Sequence, residues 1–87
     1  LFINFGDTEA LYCLRAVNEL RKSQIMAELY PDNAKMKKQM GYANKRNIPY
    51  VVLAGTSEIE NNTFTVKEMQ SGDQKEVNLE ELKIMIL

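Results

Sequence analysis

The sequence predicts an α/β fold in three layers, in which a mixed sheet of about five strands packs with three helices. Apolar runs of strand length alternate with two helical patterns through residues 1–55, and crossovers of that kind join parallel strands. The last third alternates polar and apolar residues around a turn, which is typical of an antiparallel hairpin. With 87 residues, 45% of them hydrophobic, the chain has the size of one domain with one core.

The first strand and the first helix occupy the start of the chain. Residues 1–5 form a mostly apolar run that ends at Gly6 and predicts a buried strand. We expect a helix to follow, capped by Asp7 or Thr8 and ending near Ser23. Its apolar positions recur at helical spacing: Ala10, Cys13, Leu14, Val17 and Leu20.

The second and third strands flank another helix. Residues 25–30 predict a strand that stops at Pro31. Asp32 or Asn33 then caps a helix that runs to about Arg46. Residues 48–55 contain a continuous apolar run, which favours a central, parallel strand covered on both faces.

The end of the chain predicts a hairpin and a last helix. Residues 63–67 and 75–77 read as antiparallel strands joined by a Ser-Gly-Asp turn at 71–73. Asn78 can cap the last helix, with its apolar residues facing inward: Leu79, Leu82, Ile86 and Met85.

Composition excludes several kinds of site. The chain has no histidine and one cysteine, Cys13, so it holds no intrachain disulfide, no Cys/His metal site and no Ser-His or Cys-His catalytic pair. Cys13 lies on the apolar side of its helix and is expected in the core. No apolar run approaches the roughly 18 residues of a membrane span. Because the chain starts within a strand, without Met, we expect it to be one domain of a longer protein.

Charge is distributed unevenly. The net charge is -1, yet residues 33–57 carry five cations and no acid. Four of these cations lie with Tyr42 in one arc of the second helix: Lys35, Lys38, Lys45 and Arg46. Such an arc suits an RNA backbone with unstacked bases nearby, because phosphates attract cations and bases stack on aromatic rings. An ordinary solvated lysine face is the alternative.

Several segments of the sequence resemble the C-terminal anticodon-binding domain of class IIa aminoacyl-tRNA synthetases. The resemblance covers nearly the whole chain, and its most telling stretches are 27–30, 37–40, 43–45, 48–52 and 55–58. Residues 65–74, with a valine-lysine strand leading into a Ser-Gly turn and a downstream Gln, are most similar to the histidyl branch.

The resemblance implies a role in tRNA recognition. The parent would be a cytoplasmic, dimeric ligase that joins histidine to its tRNA, with ATP and magnesium bound by a catalytic domain of the same chain. No class II catalytic motif occurs in these residues, so we assign no catalytic residue, cofactor site or metal site here. The implied partner of this domain is the histidine anticodon loop.

The resemblance also implies anticodon contacts for Asn33, Lys35, Glu58 and Lys67. The charged arc adds Lys38 and Tyr42 as candidate anticodon-binding residues. Glu58 can accept hydrogen bonds from base donors and Lys67 can donate to base acceptors or phosphate. Structural roles are the alternatives: a helix cap for Asn33, a loop carboxylate for Glu58 and a cross-strand ion pair for Lys67.

Two rival functions remain at this stage. The same fold could serve as a protein-interaction or dimerisation module of a synthetase-like protein. A small flavodoxin-like or thioredoxin-like protein is the second rival, and the lack of a glycine-rich loop and of a Cys-x-x-Cys pair argues against it.

Overall fold

The computed structural model describes residues 1–86. Within them the chain forms four helices and three strands, in this order: α1 (Asp7–Lys22), α2 (Met36–Lys45), β1 (Tyr50–Leu53), α3 (Thr56–Asn61), β2 (Phe64–Glu68), β3 (Gln74–Val77) and α4 (Leu79–Ile86). The strands make one antiparallel sheet in the order β1-β2-β3. The prediction of five strands with three helices is therefore wrong.

The first two predicted strands are extended segments that make only single bridges. Phe2 bridges Leu29 on one side and Val52 on the other, both in parallel. No ladder continues past Ile3, because the next backbone groups, those of Asn4, bond to the side chain of Gln39 instead of to a neighbouring strand. These two bridges are parallel, but the segments are too short to count as strands. The sheet itself is antiparallel, so the predicted mixed sheet with a parallel central strand is wrong.

The helix that the sequence analysis missed is α3. It follows β1 directly and has six residues, Thr56–Asn61. Apolar periodicity cannot reveal so short a helix, because its single turn and a half buries no residue fully. The helix ends at Asn61, and the left-handed backbone of the next residue, Asn62 (φ 55°), turns the chain towards β2.

Two core clusters lie on opposite faces of the sheet. One face packs on α1 and α4 through a cluster that includes Cys13, Val17, Phe64 and Leu82. The other face packs on α2 through Ile3, Ala43 and Val51, with Met40 beside them. The prediction that Cys13 packs in the core is confirmed. Of the two methionines on α2, Met40 is partly buried and Met36 is 36% exposed.

The ends of the helices differ in part from the predicted caps. The residue that caps α1 is Gly6, not Asp7 or Thr8, and its φ of 132° suits glycine. The residue that caps α2 is Lys35, not Asp32 or Asn33. At α4 the prediction is confirmed, because Asn78 and Glu81 exchange hydrogen bonds between side chain and backbone at 2.8 and 3.0 Å.

The predicted hairpin is confirmed. β2 pairs with β3 from Phe64 opposite Val77 to Lys67 opposite Gln74. Gly72 takes a positive φ of 79° in the turn, and the Ser71 hydroxyl accepts a hydrogen bond from the Asp73 N–H at 3.2 Å. No helix among residues 1–86 is long and apolar enough to cross a membrane.

Candidate nucleic-acid interface

Four chain segments meet at one edge of the sheet, where the first extended segment and β1 both end. These two segments run in parallel beside each other, so residues 4–6 and residues 54–56 leave the sheet at the same edge. The start of α2 adjoins them, since a Cβ on Gly6 would lie 3.8 Å from Nδ2 of Asn33. The start of α3 completes the group. In parallel arrangements, binding sites form at this edge.

A buried glutamine fastens α2 to this edge. The Gln39 side chain is 1% exposed. Its Oε1 accepts from the N–H of Asn4 at 2.7 Å, and its Nε2 donates to the carbonyls of Asn4 and Ala34, both at 2.8 Å. The amide can take only this orientation, because the flipped one would face an N–H with its own donors. Gln39 was not predicted as a site residue, although it is next to Met40 on α2 and therefore lies near the core face.

The N-terminus of α2 is open to anions. Lys35 provides no side-chain cap, and the first turn contains no acid. The other three helices carry acids in their first turns. Exposed lysines surround the start of α2, namely Lys35, Lys37 and Lys38. Free N–H groups and the helix dipole favour a negative group here, and the lysines add to that preference.

The Tyr42 side chain already makes contacts with other residues of this chain. Its hydroxyl donates to the Glu28 carboxylate at 3.2 Å, and the Tyr30 ring meets its ring edge to face at 5.4 Å. The Arg46 guanidinium lies 5.3 Å from the ring centroid. Tyr42 thus lies on the flank of α2 that faces residues 25–30, and much of its aromatic surface is already in contact.

Lys67 lies beside the opposite flank of α2. Its β1 partner is Val51, which is in the core cluster under α2, so Lys67 points to the same face of the sheet as that helix. On that side α2 presents Met40, which is about 200° around the helix from Tyr42. Lys67 therefore lies on β2, as the hairpin prediction placed it, and apart from the arc of Lys38 and Tyr42.

Within residues 1–86, Lys67 forms no ion pair. Its neighbours across the strands are Val51 and Gln74 rather than acids. The predicted alternative of a cross-strand ion pair is wrong, and the ammonium group of the half-buried Lys67 keeps its hydrogen-bonding capacity for another partner.

Glu58 lies at the start of α3 and has a structural contact. Its carboxylate accepts from the Gly55 N–H at 3.3 Å, and its backbone carbonyl accepts from the Tyr12 hydroxyl at 3.4 Å. A carboxylate has room for about four hydrogen bonds. The half-buried Glu58 thus keeps acceptor sites for further hydrogen bonds. It lies at the same edge of the sheet as Asn33, because α3 begins there.

Two apolar side chains at this edge were not predicted as site residues. Phe5 and Met36 are each 36% exposed, and both belong to segments that the Gln39 amide holds together. Phe5 had been assigned to a buried strand. Its exposure follows from the end of strand pairing at Ile3, which a pattern of apolar residues does not reveal.

Neither a metal-ligating cluster nor a reactive thiol occurs among residues 1–86. Residues 1–86 contain no cluster of three or more metal-ligating side chains. Cys13 is fully buried, and burial raises the pKa of its thiol to about 12, with a further contribution from Glu9. At neutral pH such a thiol is protonated and unreactive.

Known proteins similar to this chain agree on one family. The family described as "Anticodon binding domain" matches residues 2–87. Histidine-tRNA ligase of Christiangramia forsetii is 62% identical over 78 residues, which cover 90% of this chain and 17% of that enzyme. Histidine-tRNA ligase of Flavobacterium johnsoniae is 48% identical over 87 residues, which cover all of this chain and 18% of that enzyme.

Solved structures give the same result. Histidyl-tRNA synthetase from Nostoc sp. PCC 7120 matches with a TM-score of 0.90 at 27% identity, over 98% of this chain and 20% of that one. The RNA binding domain of threonyl-tRNA synthetase from Cryptosporidium parvum matches at 0.89 with 14% identity, which shows a shared fold. The chain thus spans about a fifth of the length of the histidine-tRNA ligases it matches. By the match over residues 2–87, the chain belongs to the anticodon-binding domain family, and its relatives are histidine-tRNA ligases.

Proposed function

We propose that this chain binds the anticodon loop of histidine tRNA as one domain of a longer histidine-tRNA ligase. The observation that carries the proposal is the open N-terminus of α2 within a family of anticodon-binding domains. Three exposed lysines, no acid and no capping side chain occur there together.

The charge distribution supports binding of a polyanion at one place. Residues 33–57 carry five cations and no acidic residue, while the rest of the chain carries more acids than cations. A localised patch attracts phosphate, and the acidic remainder limits unspecific attachment. RNA therefore docks at α2, and the face formed by α1 and α4 stays free of it.

Contacts with phosphates and contacts with bases are made by different sets of residues around α2. Lys38 and Lys45, on the outward arc, contact backbone phosphates. Base edges are contacted from three places: Asn33 and Lys35, in the connection before α2 and at its cap, Glu58 on α3 and Lys67 on β2. Phe5 offers a surface for stacking. An acidic group such as Glu58 gains beside RNA only when it accepts hydrogen bonds from bases, because it repels phosphates.

The longer protein supplies the chemistry. It attaches histidine to tRNA at the expense of ATP, with magnesium, in a catalytic domain outside these residues, and acts as a cytoplasmic homodimer. The anticodon-binding domain contributes selection of the correct tRNA.

A titration tests the proposal. A labelled histidine anticodon stem-loop is added to the chain at 50 and 150 mM salt, beside stem-loops with changed anticodon bases. We expect tighter binding of the histidine anticodon, and weaker binding of every loop at the higher salt. Absence of binding at 50 mM salt would contradict the proposal and favour a protein-interaction role.

A further inference from the structure

The Gln39 side chain connects three parts of the chain that are distant in sequence. It bonds to Asn4 at the end of the first segment and to Ala34 in the connection before α2, and it belongs to α2 itself. All three hydrogen bonds lie between 2.7 and 2.8 Å. One acceptor site and both donors of the amide are in use.

The partner residue Asn4 extends the same network. Its Nδ2 donates to the Tyr30 carbonyl at 3.1 Å, and its Oδ1 accepts from the Gly6 N–H at 2.9 Å. Asn4 is 8% exposed. The two amides therefore fix residues 4–6 and the connection from Tyr30 to Ala34.

Burying this pair of amides costs more free energy than burying an apolar pair would. A role in fixing the geometry of the surrounding segments accounts for its presence. Burying amide groups is unfavourable and is only offset by complete hydrogen bonding. An apolar residue at position 39 could fill the space but could not hold two carbonyls and an N–H. The surfaces that the pair fixes are the exposed Phe5 on one side and the open first turn of α2 on the other.

We propose that Gln39 is a positioning residue for RNA binding: it holds the N-terminal turn of α2 against residues 4–6, so that phosphate and base contacts form together. The inference rests on the proposed function. Gln39 does not touch RNA itself, because its side chain is buried.

The test compares variants of the 87-residue chain that lose stability in different places. Gln39→Met keeps the volume and removes the three hydrogen bonds. Gln39→Glu keeps the acceptor for the Asn4 N–H and faces two carbonyls without donors. Val17→Ala is the control, because Val17 lies in the core cluster on the opposite face of the sheet. Thermal melts identify a temperature at which every variant is almost fully folded, and all binding is measured at that temperature.

Binding and amide exchange are then measured for the histidine anticodon stem-loop. Gln39→Met is expected to bind at least tenfold more weakly, with a shallower salt dependence equivalent to about one lost phosphate contact. Its amide hydrogens at the start of α2 exchange faster. Val17→Ala is expected to bind within twofold of the parent chain. Should Gln39→Met fail to fold, Gln39→Glu is measured in its place and is expected to show the same loss of affinity.

The outcomes separate the two proposals. Parent-like affinity and salt dependence in folded Gln39→Met or Gln39→Glu would overturn the positioning role and leave the proposed function standing. An equal loss in Val17→Ala would also overturn it, because general destabilisation would then be sufficient. Failure of the parent chain to bind RNA would overturn the proposed function, and the role of Gln39 in RNA binding with it.

Discussion

The carboxylate of Glu58 accepts a hydrogen bond from the N–H of Gly55, three residues earlier, at 3.3 Å. This bond satisfies a free donor at the start of α3. The same side chain is proposed to accept hydrogen bonds from anticodon bases, so its structural and recognition roles must be separated by substitution.

Glu58→Gln is expected to separate them. The glutamine oxygen can still accept from Gly55, so the free energy of unfolding changes by less than about 0.5 kcal/mol. Base recognition changes, because an amide presents donors where the carboxylate presented only acceptors. The ratio of affinities for matched and changed anticodon loops should fall, and Glu60→Gln on the same helix serves as control. Equal losses for both loops would contradict base reading by Glu58.

Lys67→Ala tests the other flank of α2. Without an acidic partner among the described residues, Lys67 contributes little to stability, so this variant should unfold like the parent chain. We expect weaker discrimination between matched and changed anticodons, measured by competition between two labelled loops. Lys67→Arg should retain affinity through its charge but alter the preference, since its planar donors are arranged differently. Unchanged discrimination in Lys67→Ala would exclude a base contact.

Lys38→Glu should weaken binding of all RNAs alike. Lys38 is exposed on the outward arc of α2, where a cation meets phosphates, which carry no sequence information. A loss of about tenfold at 50 mM salt is expected, which diminishes as salt rises. The matched control is Lys75→Glu, because Lys75 pairs with Val66 and so faces the side of the sheet away from α2. Equal losses in both variants would show attraction by net charge alone.

Phe5→Ala tests the stacking surface. Stacking of one base on an aromatic ring contributes about 1–3 kcal/mol, so affinity for the anticodon loop should fall at least about fivefold. Leu11→Ala is the control, since Leu11 is a more exposed apolar residue (56%) on α1. Fluorescence titration of both variants checks the prediction. Parent-like affinity of Phe5→Ala would remove Phe5 from the interface.

The buried thiol of Cys13 makes stability depend on alkaline pH. Its pKa is raised from the ordinary value of 9.0 to about 12 in the folded chain. Above pH 9 the unfolded chain releases this proton while the folded chain keeps it, so the free energy of unfolding falls as pH rises from about 9 towards 12. Burial also raises the pKa of Tyr12, which acts in the same direction.

Comparison with Cys13→Ala isolates the thiol. At pH 7 this variant should be less stable by about 1 kcal/mol, because it leaves a small cavity. The difference should shrink and then change sign between pH 8 and 10.5 in thermal melts, because only the parent chain has a thiol whose ionisation favours the unfolded state. A constant difference over that range would show that Cys13 does not titrate on unfolding.

The sequence predicted the hairpin and the last helix, because turn residues, caps and apolar periodicity are local signals. It did not predict that strand pairing ends at Ile3. That end is set by the Gln39 amide, which is 35 residues away from Asn4 in the sequence. For the same reason Phe5 was assigned to a buried strand, although it is partly exposed.

The candidate site was predicted only in part. Charge counting found the cations of α2 and a resemblance suggested Glu58 and Lys67. Helical angles alone grouped Tyr42 with the lysines as a surface for bases, but the side chain lies between Tyr30, Glu28 and Arg46. A helical projection gives the angle of a residue around its axis and contains no information on the neighbouring segments that cover one flank.

RNA is proposed to dock where the open N-terminus of α2 meets the edge of the sheet. The most direct measurement is a titration of the isotopically labelled chain with the histidine anticodon stem-loop, followed by amide chemical shifts. Shifts at residues 4–6, 33–38, 55–58 and 65–67, with little change in α1 and α4, are the predicted result. Shifts concentrated on the outer faces of α1 and α4, with residues 33–38 unaffected, would contradict the account.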